Sequence, residues 1–81
     1  MKTVRYTAGA ARDIARYKAM SMRIRRHVVE YAADGAHANN VTRLAGSTAS
    51  RLRVGDFRVI FEDGPTEIVV TKIGPRGSVY D

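Results

Sequence analysis

No cysteine occurs among the 81 residues, so neither a disulfide nor a thiolate metal site holds this chain together. That absence suits a reducing compartment. No apolar run is long enough to span a bilayer, and the opening "MKTVRYTAG" lacks the apolar core of a signal peptide. The expectation is a cytoplasmic protein without a membrane partner. Internal repeats, low-complexity tracts and composition breaks are missing too, so residues 1–81 are expected to form one domain with one small core. The two histidines, His27 and His37, have no companion at metal-ligand spacing and read as surface residues, so no metal or other cofactor is expected. Acidic residues are also scarce, with 8 Asp and Glu against 14 Lys and Arg, for a net charge of +6.

The basic side is mostly arginine, whose planar fork of donors suits phosphate oxygens better than the point charge of lysine. An anionic partner follows, nucleic acid first, with an acidic protein segment as the alternative. The 44% hydrophobic content with mixed charges marks a folded chain.

The clearest local pattern is "SRLRVGDFRVIFEDG", Ser50 to Gly64. Leu52, Val54, Phe57, Val59 and Phe61 alternate with polar residues around Gly55-Asp56, a two-residue turn signal, and predict a β-hairpin. In that register Val54 pairs with Phe57 and Arg53 with Arg58, so Arg51, Arg53 and Arg58 leave one face of the sheet. Like charges directly opposite each other are destabilising. An external anion is the natural offset, and the cluster reads as a phosphate site that is strained when empty.

Lys2 to Tyr6 predicts a strand with Val4 and Tyr6 on one face, and Thr7 a helix cap. Ala10, Ile14 and Tyr17 form one helical stripe, with Arg12, Asp13 and Arg16 facing away. Met20, Ile24, Val28, Tyr31 and Ala32 form a second. No glycine or proline separates the stripes, so one long helix is the alternative to a helical hairpin. The phase shift near Met20 favours the hairpin, with Ser21 as cap, an Arg26–Glu30 pair one turn apart, and Asp34-Gly35 as the end. Arg23, Arg25 and Arg26 read as a solvated helix face. "AHANNVTRLAGST" predicts a loop anchored by Val41 and Leu44, "TEIVVTKI" a strand, and "GPRGSVYD" a loop. The expected fold class is α+β: a small antiparallel sheet in the order β-α-α-β-β-β, with the N-terminal helical hairpin packed on one face.

"RLRVGDFRVIFE" followed by "VVTKIGPRGSVYD" resembles the C-terminal half of the RelE/ParE superfamily of bacterial type II toxin–antitoxin toxins. The resemblance covers residues 43 to 81 well and the helical half loosely, and it favours the RelE-like branch. It implies a toxin that cleaves messenger RNA in the ribosomal A site and is neutralised by a cognate antitoxin, the complex binding operator DNA through that antitoxin. By the same resemblance, Arg51 and Arg53 line the RNA site and Arg58 grips the scissile phosphate. Arg76 acts near the leaving group, and Tyr80 stacks on a base or orients the reacting hydroxyl. The implied reaction is metal-free attack by the RNA's own 2′-hydroxyl, leaving a 2′,3′-cyclic phosphate and a 5′-hydroxyl. Relatives often carry lysine on the strand, where this chain has Arg51 and Arg53. Arginine stays protonated, so Tyr80 is the remaining candidate for the general base. Two other readings stay open: a ParE-like DNA gyrase inhibitor and an inactive antitoxin-binding module. The chain stops one residue after Tyr80, where many relatives add a helix, which would leave the site open to an acidic antitoxin segment.

Overall fold

In the computed structural model, residues 1–77 are described. The chain runs β1 (Thr3–Tyr6), α1 (Ala8–Arg16), α2 (Lys18–Asp34), a 3-10 turn (Ala38–Asn40), β2 (Val41–Arg43), β3 (Ala49–Val54), β4 (Phe57–Asp63) and β5 (Glu67–Pro75). The five strands form one sheet in the order β1-β5-β4-β3-β2. The α+β arrangement is the expected one, with two differences in the sheet. The first is direction: β1 lies parallel to β5, pairing Val4 with Ile68 and Tyr6 with Val70, so the sheet is mixed rather than wholly antiparallel. The two helices carry the chain across one face between β1 and the hairpin strands, which lets the first strand join the last one in the same direction. The second is that the predicted loop contains β2, in which Val41 faces Leu52 and Thr42 faces Arg51.

Both helices bury their apolar stripes on one face of the sheet. Ala10, Ile14, Ile24, Val28 and Ala32 meet Leu52, Val54, Val59, Phe61, Ile68, Val70 and Ile73 in a single core. Leu44, Ala49 and Ile60 form a second, smaller cluster. Thr7 caps α1 as expected, its hydroxyl accepting from the Ala10 N–H at 3.2 Å. Gly35 ends α2 in the left-handed region at φ 77°, a conformation glycine adopts without steric cost. The hairpin alternative holds over one long helix, but the break sits at Tyr17, whose φ −107° and ψ 58° are non-helical. Its ring packs edge-on against Phe57 at 5.1 Å, a contact a continuous helix would direct elsewhere. Ser21 is not the cap; its hydroxyl donates to the Lys18 carbonyl inside α2 at 3.0 Å.

One irregularity ties the layers together. The β4–β5 register slips between Ile60 and Phe61, Ile60 facing Lys72 while Phe61 faces Val70, so Thr71 is the extra residue of a bulge. Two residues past the bulge, the Asp13 carboxylate accepts the Ile73 N–H at 2.9 Å. Asp13 therefore faces the sheet, not solvent, because a buried backbone donor needs a partner.

Candidate nucleic-acid interface

Gly55 turns the hairpin at φ 58°, which fixes Val54 opposite Phe57 and Arg53 opposite Arg58. A tight two-residue turn with positive φ at its first position matches the twist of the flanking strands. Because side chains alternate along a strand, the buried Leu52 and Val54 commit Arg51 and Arg53 to the face away from the helices. Two rows then cross that face. One runs Thr42, Arg51, Ile60, Lys72 over four strands, and the other runs Arg53, Arg58, Gly74. Arg53 faces an arginine and Arg51 faces Ile60, so only one pair of guanidinium stems is directly opposed.

The two rows enclose a cleft of about 100 Å³, lined by Asn39, Asn40, Thr42, Arg51, Arg53 and Arg58. Arg58 Nη1 donates to the carbonyls of Gly55 at 3.3 Å and Phe57 at 3.2 Å, so the guanidinium is folded back against its own turn. Arg53 Nη2 donates to Asn40 Oδ1 at 3.3 Å. The Arg76 N–H donates to the Asp56 carbonyl at 2.6 Å, which latches the chain after β5 to the same turn. β5 itself runs through Gly74 and Pro75, residues expected in a loop, and this extension carries Arg76 to the hairpin. Tyr80 lies outside the described residues.

Two contributions were not legible in the sequence. Asn39, Asn40 and Thr42 read as loop material, yet they form a wall of the cleft. The signal for β2 was the spacing of Val41 and Leu44 around polar residues, too short to count as a strand by itself. Arg23 was assigned to a solvated face, but its guanidinium lies within 3.5 Å of where a side chain on Gly55 would begin. It adds positive charge to the turn from the helical side.

The histidines are not isolated either. His27 and His37 stack with centroids 4.2 Å apart at 8°, and His37 Nε2 donates to Glu30 Oε1 at 2.6 Å. Glu30 thus pairs across to the 3-10 turn, where the sequence suggested Arg26. Among the described residues no cluster of three metal-ligating side chains forms. Burial lowers the His27 pKa from its usual 6.5, and His37, Arg23 and Arg26 lower it further against an opposing pull from Glu30. As pH falls below the ordinary histidine value, the unfolded chain takes up this proton before the folded one. The His27 contribution is therefore fully present above that value and is lost as pH drops toward the depressed folded value. Urea midpoints taken at about pH 8 and about pH 5 should converge for His27→Gln relative to the wild-type chain; an equal pH dependence in both proteins would contradict this account.

No family model and no curated protein matches the sequence. Solved structures do match over the whole fold. RelE in the archaeal RelE–RelB complex from Pyrococcus horikoshii superposes with a TM-score of 0.78 at 22% identity, covering 96% of this chain and 98% of that one. RelE of the intact Escherichia coli RelBE toxin–antitoxin complex gives 0.76 at 11% identity over 93% and 96%. A YafQ mutant from E. coli gives 0.75 at 10% identity over 100% of both chains. At these identities the likeness shows the fold: the chain has the RelE fold, its α+β arrangement of two helices against a five-stranded mixed sheet.

Proposed function

We propose that this protein is the toxin of a type II toxin–antitoxin system, a ribosome-dependent messenger RNA endoribonuclease neutralised by a cognate antitoxin in the cytoplasm. The observation that carries the reading is the opposition of Arg53 and Arg58 in a cleft shared with Arg51. The RelE fold supports it, because its solved examples include toxin chains held in antitoxin complexes.

In the reaction the 2′-oxygen bonds to the adjacent phosphorus as the bond from phosphorus to the 5′-oxygen breaks, and the 2′-proton leaves while the 5′-oxygen gains one. Charge builds on the phosphoryl oxygens, and a fixed guanidinium aimed at them stabilises the transition state more than the ground state. Arg58 is suited to this role because two carbonyls already orient it. Arg51 and Arg53 hold the flanking phosphates, and Arg76, latched beside the turn, stabilises the leaving oxygen. Arginine does not give up its proton, which leaves the 2′-proton to Tyr80. The ribosome contributes by holding the message in an attack-ready geometry, a source of large rate effects in its own right.

The test is a defined message on programmed ribosomes. Cuts that require both protein and ribosome, leaving 5′-hydroxyl ends, are expected. Absence of cuts together with inhibition of gyrase supercoiling would replace this reading with the ParE-like one. Addition of a cognate antitoxin should abolish the cuts.

A further inference from the structure

We infer that the turn Ala38–Asn40 and the first residues of β2 form a nucleoside-reading wall, in which Asn39 and Thr42 recognise the base and sugar joined to the phosphate on the arginines. The inference rests on the reading of the cleft as an RNA site and adds to it the residues that choose among nucleotides.

A pocket built for an anion alone needs donors only. This one sets three guanidiniums against two carboxamides and a hydroxyl, groups that donate and accept hydrogen bonds and so offer acceptors for which a bare phosphate has no use. Nucleosides present donors and acceptors together: base edges and the ribose 2′-hydroxyl. A carboxamide matches such an edge with a bidentate pair, and sequence-specific contact with single-stranded RNA is made in this way. Asn40 plays a different part. Its Oδ1 accepts from Arg53, so it is a positioning residue that turns that guanidinium along the cleft. Asn39 is exposed on the lining, and Thr42 stands beside Arg51 in register, within one strand of a phosphate held there.

Recognition also needs a wall that holds its shape, and this turn is held from both ends. Ala38 N–H donates to the Gly35 carbonyl at 3.1 Å and Asn40 N–H to the His37 carbonyl at 2.9 Å. His37 starts the turn at φ 69°, a left-handed conformation uncommon outside glycine. The bond to Glu30 and the stack on His27 hold it there. β2 then fixes the other end on β3. Strain held in place by surrounding contacts is the arrangement expected where geometry matters to function.

The experiment is fluorescence-anisotropy binding of four short homopolymeric RNAs, one per base, at a fixed low salt concentration, with folding checked by circular dichroism. Wild-type protein should favour one base over the poorest by about fivefold to a hundredfold. Asn39→Ala should bring the four within about twofold of one another, while Arg58→Ala should weaken all four alike. If Asn39→Ala does not fold, the near-isosteric Asn39→Asp, which loses the amide donor, takes its place with the same expectation. A wild-type protein without base preference, or a preference that survives both Asn39 variants, overturns the wall and leaves the arginine site standing. RNA binding that Arg58→Ala does not weaken, or no RNA binding at all, overturns the site and the wall together.

Discussion

Replacing Arg58 with alanine should lower message cleavage on programmed ribosomes by about a hundredfold to a thousandfold, the usual cost of removing one preorganised donor from a developing oxyanion. The large effect comes from fixed geometry. Arg58 is tied to the carbonyls of Gly55 and Phe57, so in the proposed reaction little reorganisation is needed as charge builds on the phosphoryl oxygens. Arg58→Lys should recover only part of the rate, because an ammonium keeps the charge but cannot divide its donors between the turn and two phosphoryl oxygens. Single-turnover rates on saturating ribosomes measure both variants. A loss under about fivefold for Arg58→Ala would remove this side chain from the chemistry. Stability should hardly change, since the side chain lies on the sheet face away from the helices and outside both apolar clusters.

Phe61→Ala should do the opposite, costing about 3–5 kcal/mol of folding free energy. Phe61 is 2% exposed in the main core, and Tyr31 meets its ring edge-on at 5.5 Å. It is also the residue at which the β4–β5 register slips, so the sheet on either side is already irregular and collapses poorly around a void. Small domains hold only about 5–15 kcal/mol in total, so this one truncation removes a large share. Guanidinium denaturation reads it directly, and Phe61→Leu, which keeps most of the volume, should cost clearly less. A loss for Phe61→Ala below about 1 kcal/mol would mean that the ring is not packed as described.

What could be read from the sequence was mostly local. Gly55-Asp56 with flanking alternation specified the hairpin and its register, and with it the apposition of Arg53 and Arg58. Thr7 and Gly35 announced helix boundaries because capping depends on neighbours within a turn. The bulge was not legible: Ile68, Val69 and Val70 are apolar in succession, so nothing in "TEIVVTKI" marks where the alternation skips. The rest depended on distant partners. Nothing near Asp13 says that it will accept from Ile73, nor does anything near Tyr17 say that Phe57 will hold it out of a helix. The parallel course of β1 is invisible to periodicity, which records faces and not directions. The wall of the cleft stayed hidden for the same reason, since Asn39 and Asn40 acquire their setting only when β2 docks on β3.

The pairing of β1 with β5 has a consequence for how the molecule comes into being. Synthesis delivers β1 first, yet its only neighbour in the sheet is the last strand described, and Arg76 reaches the hairpin turn only after that strand is laid down. A nascent chain therefore carries two helices and an unfinished sheet until Glu67–Pro75 leaves the ribosome. Contacts so distant in sequence also form slowly. For the toxin proposed above, this order brings Arg76 to the hairpin turn only after β5 has been made, and gives an antitoxin already present time to meet the unfinished chain.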